Sequence, residues 1–249
     1  MGINFNVKSF GLSDIGNTRS NNEDNFLIDD IHRIYVVADG MGGHVGGERA
    51  SSLAISSIIE MTNHAAARSQ EFSSESMRRF FLDAFQMANR RILEEAGAKS
   101  QYLGMGTTLT ACGLAGDQAL FAHVGDSRAY IASEESIRQV TEDHSFVNEQ
   151  IKKGRIDKSD ARAHLLKNVI TRSCGVYKNL EVDIIAEPIK EGDTILLCTD
   201  GLVNSISDLE IWELIRSNRP EWILPALINQ ALKKGGDDNI TAVLIALAN

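Results

Sequence analysis

Four short acidic motifs carry the chemistry readable in this chain: Asp39-Gly40-Met41-Gly42-Gly43, Gly125-Asp126-Ser127, Thr199-Asp200-Gly201 and Gly236-Asp237-Asp238-Asn239. Three stand where apolar, strand-like runs stop (34–38, 118–124 and 193–198), and the fourth precedes another (240–247). A strand ending in a carboxylate, beside glycines that let the backbone come close, is a way to build a site for hard cations.

Exclusion narrows the chemistry. A phosphatase with an aspartate nucleophile wants a second Asp two positions after the first, and Met41 stands there. A cysteine phosphatase wants an Arg six positions after its thiolate. After Cys112, Cys174 and Cys198 those positions hold Gln118, Leu180 and Asn204. The glycine-rich run 42–47 is followed by Glu48-Arg49 instead of the Lys-Ser/Thr pair of a nucleotide-binding loop. An all-oxygen site suited to Mg²⁺ or Mn²⁺ remains. Two such ions roughly 3.5–4 Å apart can share a water, lower its pKa and orient the hydroxide for in-line attack on phosphorus, with no covalent enzyme intermediate. An Arg gripping the phosphoryl oxygens and a His protonating the departing alkoxide would complete the site, and Arg19 and His44 are the candidates.

Elements must position these groups. Ile3, Phe5 and Val7 alternate with polar residues, as in a half-buried strand, and 34–38 is a fully apolar one. Apolar residues recur at helical spacing over 48–61 and 76–96, predicting two long amphipathic helices with Phe80, Phe81 and Phe85 in the core. Runs 107–114, 118–124 and 129–132, joined by short turns, predict an antiparallel meander. Residues 145–163 are polar and read as short helical pieces. Strands are expected near 180–186, 194–198 and 241–247, with helices at 208–216 and 221–234; Pro225 fits only the first turn of the latter. The sum is an α+β domain of mainly antiparallel sheets covered by helices, 1–249 without a linker.

Composition sets further limits. The 249 residues carry a net charge of −9 and are 43% hydrophobic, enough for a substantial core and contrary to nucleic-acid or anionic-membrane binding. No apolar run approaches the ~18 residues that span a bilayer, and the three scattered cysteines match neither a disulfide framework nor a zinc site. A cytoplasmic monomer is expected.

The run Ser13-Asp14-Ile15-Gly16 to Arg19-Ser20-Asn21-Asn22-Glu23-Asp24, followed by Val37-Ala38-Asp39-Gly40-Met41-Gly42-Gly43-His44 and Gly47-Glu48, resembles the opening of bacterial PP2C-type (PPM family) protein Ser/Thr phosphatases. Gly104-Met105-Gly106-Thr107-Thr108, Val124-Gly125-Asp126-Ser127-Arg128, Thr141-Glu142-Asp143-His144-Ser145, Thr199-Asp200-Gly201-Leu202 and Asp238-Asn239-Ile240-Thr241 continue it in the family's order.

The resemblance implies a four-layer αββα sandwich with a flap at about 145–171 and a metal cleft at one end. It implies that Asp39 bridges two metals, that the Gly40 carbonyl completes one site, and that Asp200 and Asp238 hold the other metal. Glu23 would contact metal through water, and Asp126 would hold a third, weaker ion. Arg19 would bind phosphate, and His44 is the candidate general acid. The implied activity is metal-dependent hydrolysis of phosphoserine and phosphothreonine on proteins, opposing a bacterial Ser/Thr kinase.

Alternatives stand beside these readings. Arg19 could pair with Asp14 or Asp24, Asp126 could cap a turn, His44 could only hydrogen-bond metal-bound water, and His144 beside Asp143 suggests a dyad, with a structural role favoured. A pseudophosphatase or a nuclease would need, respectively, a broken ligand set or a basic groove. One departure is visible: His164-Leu165-Leu166-Lys167-Asn168 replaces the family's His-Pro-Gln-Arg-Asn.

Overall fold

The computed structural model describes residues 6–66, 72–157, 160 and 164–248, without the side chains of residues 43–45 and 66. Ile3 and Phe5 of the expected first strand lie outside the described residues. In chain order the elements are β1 (Asn6–Asp14), β2 (Asp24–Asp29), β3 (Ile34–Met41), α1 (Gly43–Ala66), α2 (Ser74–Ala98), β4 (Gly106–Thr107), β5 (Leu109–Ala115), β6 (Gln118–Val124), β7 (Arg128–Ala132) and β8 (Ile137–Gln139). They continue with α3 (Phe146–Lys152), β9 (Asp183–Pro188), β10 (Thr194–Cys198), α4 (Asp200–Ser205), α5 (Asp208–Ser217), α6 (Pro220–Lys233) and β11 (Ile240–Ala248).

Two antiparallel sheets form, in the orders β1-β11-β10-β7-β8 and β2-β3-β5-β6-β9, with β4 beside β3. Alternation within single strands explains why their runs read as continuously apolar. On β3, Ile34, Val36 and Ala38 face the α1/α2 layer, while Tyr35 and Val37 enter the core between the sheets. On β11, Ala242 and Leu244 face the α4–α6 layer, while Val243 and Ile245 join that same inter-sheet core. Each sheet is therefore buried on both faces, and the three apolar layers define the αββα sandwich.

The long helices form for local reasons as well. Ser73 and Ser76 make a reciprocal capping box at the start of α2, and Phe80, Phe81 and Phe85 stack edge-on with centroids 5.6 and 6.4 Å apart. Arg49 on α1 grips Glu95 on α2 with two hydrogen bonds of 3.0 and 2.8 Å.

Several expectations need correction. The run 107–132 is not one meander: β5 and β6 pair with each other, but β7 pairs with β8 and β10 in the opposite sheet. The Gly125-Asp126-Ser127 turn thus crosses between sheets. Pro220 occupies the first turn of α6, and Pro225 lies inside the helix at the cost of one backbone hydrogen bond. The strand expected at 180–186 begins only at Asp183. β3 runs on to Met41, so Asp39 and Gly40 are strand residues.

Candidate metal centre

Acidic groups from distant parts of the chain converge where β3, β6 and β10 finish and β2, β7 and β11 begin. Asp39 sits near the end of β3, directly opposite Asp24 of β2 in the antiparallel register. Like charges facing each other across a strand pair are destabilising, so this pairing needs an external reason. Asp200 opens the short helix α4, Asp126 lies in the turn that crosses between sheets, and Asp238 stands just before β11.

Backbone and hydroxyl contacts fix these positions. The Asp39 N–H donates to Thr108 Oγ1 at 2.9 Å, and Thr108 N–H returns a bond to the Asp39 carbonyl at 2.8 Å. The Gly40 N–H donates to the Glu23 carbonyl at 3.1 Å. A Cβ at Gly40 would collide with the Gly47 carbonyl and stand 2.7 Å from the Glu23 carbonyl oxygen, so the close packing of three segments excludes any side chain there. Asn239 accepts from the Glu23 N–H at 2.8 Å and donates to the Ile15 and Asn21 carbonyls at 2.9 and 3.0 Å. It thereby ties the loop bearing Arg19 and Glu23 to the start of β11. Arg19 Nη2 donates to Asp238 Oδ2 at 2.8 Å; its partner is neither Asp14 nor Asp24. His44 lies in the first turn of α1, and its side chain is outside the described atoms.

Electrostatics measure the crowding. Asp39 is pushed well above the usual carboxylate range, by burial first and then by Asp24, Asp200, Asp126 and Asp238. Burial and Asp200 do the same to Asp126, with Asp143 adding to the effect. Asp24 is raised to about 7 by burial against the opposing Thr241 and Thr199 hydroxyls. Asp200 is raised to about 6 by burial and Asp238, opposed by Asp39, Asn204 and Arg19. Such a group of mutually repelling carboxylates calls for positive charge.

Among the described residues, no three His, Cys, Asp or Glu side chains stand already gathered around one point as ligands. The carboxylates are turned partly to protein donors: Asp238 to Arg19, Asp200 Oδ2 to Asn204 at 3.0 Å and Asp24 Oδ2 to Thr199 at 2.9 Å. Their other oxygens fit a cation. Asp24 Oδ1, Asp126 Oδ1 and Asp200 Oδ1 are buried without any hydrogen-bond partner among the described residues, a costly state that a divalent ion would relieve. Asp126 and Asp200 also line a cleft of about 710 Å³, whose other walls include Val147 and Lys167 from the 145–171 segment and Asn204 and Asp208 from α4 and α5.

Residues 16–233 match the protein phosphatase 2C family. The chain belongs to that family. It is 38% identical over 237 residues to the serine/threonine phosphatase stp of Listeria innocua, covering 94% of this chain and 93% of the relative. The crystal structure of the Mycobacterium tuberculosis serine/threonine phosphatase PstP/Ppp superposes with a TM-score of 0.88 at 31% identity, over 98% of this chain and 99% of the other. A PstP catalytic domain in complex with two manganese ions gives a TM-score of 0.86, also at 31% identity, with 98% and 99% covered.

In this protein phosphatase 2C all three cysteines are buried, and burial lifts the Cys174 and Cys198 thiols to about 12. They are poor nucleophiles, in line with their exclusion from sequence. The residue that sequence reasoning missed is Asp24. The sequence offers it only as a partner for Arg19, and nothing there pairs it with Asp39 until β2 is known to lie beside β3. The suspected His144–Asp143 dyad does not form: Asp143 is held by Arg128 through bonds of 2.6 to 3.1 Å, and His144 faces Asp183.

Proposed function

We propose that this protein phosphatase 2C hydrolyses phosphoserine and phosphothreonine on proteins with the help of two Mn²⁺ or Mg²⁺ ions, and a third at Asp126. The observation that carries the reading is the set of unpartnered, buried carboxylate oxygens on Asp24, Asp126 and Asp200. When bound, the ions would supply Lewis acidity that makes water a nucleophile towards phosphorus at neutral pH, with no covalent enzyme intermediate required.

The chain's own residues do the rest. Asp39, with the Gly40 carbonyl, Asp200 and Asp238, would hold the two ions, and Glu23 would act through water. Among the described residues Arg19 bonds only Asp238, through Nη2, and it is half exposed, so its other donors can grip phosphoryl oxygens. His44 gives its proton to the departing serine or threonine oxygen. The single domain spans 1–249, and segment 145–171 forms a flap whose Lys167 reaches the cleft, where it meets the substrate chain. The working context is a cytoplasmic monomer opposing a Ser/Thr kinase. No helix among the described residues is long and apolar enough to cross a membrane.

Phosphate release from a phosphothreonine peptide in Mn²⁺ is the test. EDTA is expected to reduce turnover to background, and activity that survives chelation would sink the metal mechanism. In the same assay Arg19→Ala is expected to lower kcat/KM by roughly 10- to 100-fold, mainly through KM, as for the loss of a charge-assisted phosphate contact. An unchanged KM would remove Arg19 from the substrate.

A further inference from the structure

We propose that His144, oriented by Asp183, is a positioning residue for Asp126: it locks the turn carrying that carboxylate to the base of the 145–171 segment and so sets the affinity of the Asp126 metal site. The inference rests on the reading of Asp126 as a metal ligand and adds to it a residue that touches neither ion nor substrate.

His144 binds Gly125 twice. Its backbone N–H donates to the Gly125 carbonyl at 2.7 Å, and its Nδ1 accepts the Gly125 N–H at 3.1 Å. Because a backbone N–H can only donate, Nδ1 carries the lone pair and Nε2 carries the hydrogen. Nε2–H then donates to Asp183 Oδ2 at 3.1 Å. Asp183 thus selects the tautomer that Gly125 requires. The neighbouring His123 ring lies 4.8 Å away, centroid to centroid, and is fixed in turn by the Thr110 hydroxyl at 2.9 Å and the Glu142 carbonyl at 3.1 Å. The His144 imidazole therefore has little room to rotate.

The other side of the Asp126 turn is clamped as well. Ser127 Oγ lies 2.8 Å from Thr108 Oγ1, which also receives the Asp39 N–H. Gly125 has φ +119°, and a Cβ there would stand 2.6 Å from the Thr108 Cβ, so glycine is required for the turn to lie this close. Asp126 is held between two fixed neighbours, one answering to Asp39 and the other to His144.

His144 also belongs to the base of the 145–171 segment. Its carbonyl accepts the Thr171 N–H at 2.8 Å, and Phe146 N–H donates to the Val169 carbonyl at 2.8 Å, so the segment's entry and exit run side by side. Arg172, the first residue after it, donates to the other oxygen of Asp183 at 3.1 Å. Entry, exit and the Asp126 turn all answer to one His–Asp pair, so a displacement of the segment's base is a displacement of the Asp126 carboxylate.

Calorimetric Mn²⁺ titration of the full chain tests this without reference to turnover. Asp126→Ala is expected to lose a weak class of sites seen in the wild type. His144→Ala is expected to weaken that class at least roughly tenfold while leaving the tighter sites unchanged, the usual consequence of removing a group that orients a ligand. His144→Asn, whose Oδ1 can take the place of Nδ1 on the Gly125 N–H, is expected to recover most of the affinity. Asp183→Ala, at a partly exposed position, is expected to weaken the same class roughly tenfold, which keeps the test decisive where His144→Ala does not fold. If Asp126→Ala loses a class that His144→Ala retains at wild-type affinity, or that Asp183→Ala retains where His144→Ala does not fold, the positioning role is overturned while the ligand reading stands. If Asp126→Ala loses nothing, both fall.

Discussion

Asp39→Asn is expected to lower kcat/KM for p-nitrophenyl phosphate in excess Mn²⁺ on the order of 10³-fold or more, while making the metal-free protein more stable. The two effects have one cause. An amide keeps the shape of the side chain but removes the charge needed to bridge two cations. It also removes one member of a buried group in which Asp24 stands directly opposite Asp39 and Asp200 and Asp126 press from other sides. The new amide can donate to those carboxylates without first taking up a proton, a gain worth about 1 kcal/mol or more, or roughly 2–4 °C in Tm for a domain of this size. Near-normal turnover would take Asp39 out of the bridging role. A metal-free variant less stable than wild type would contradict the repulsion from which the site is inferred.

What was legible in the sequence depended on whether a signal was local. β3, β10 and β11 are buried on both faces, so their apolar runs stand out without knowledge of their neighbours. α1 and α2 are long enough for their periodicity to be unambiguous. β2 and β8 leave no such signal: each borders a single strand in its sheet, and such half-buried edges need few apolar residues. The change of sheet at Gly125–Ser127 was also hidden, because a tight turn between two apolar runs ordinarily signals a hairpin. In the site, Asp39, Asp126, Asp200 and Asp238 announce themselves by glycine and strand context. Asp24 and the His144–Asp183 pair do not, since the roles of both are created by partners 15 and 39 residues away.

The stabilisation conferred by Mn²⁺ is expected to grow as pH rises from 5.5 to 7.5. In the metal-free protein the carboxyl groups of Asp24 and Asp200 titrate near 7 and 6, above the ~4 of an unfolded chain. The native state therefore holds protons that the unfolded state has released. Stability from these groups is fully present below pH ~4 and is lost as pH rises through 6 and 7. A bound cation reverses the preference by keeping both carboxylates ionised, and it must displace those protons at low pH but not at high pH. The gap in stability between Mn²⁺ and EDTA samples should widen by on the order of 2–3 kcal/mol across this window. Other groups titrate there too. Burial drives the His123 imidazole down to about 3, so its contribution has the opposite slope, stability falling as pH drops below about 6.5. That contribution is the same with and without the ion and cancels in the difference. Glu95 and Glu210, held near 2 mainly by Arg49 and Lys234, lose their effect only in stronger acid. Paired thermal melts in Mn²⁺ and EDTA at half-unit pH steps read the effect directly, and a difference in Tm that stays flat or shrinks with rising pH would mean that the crowded carboxylates are not what the cation neutralises.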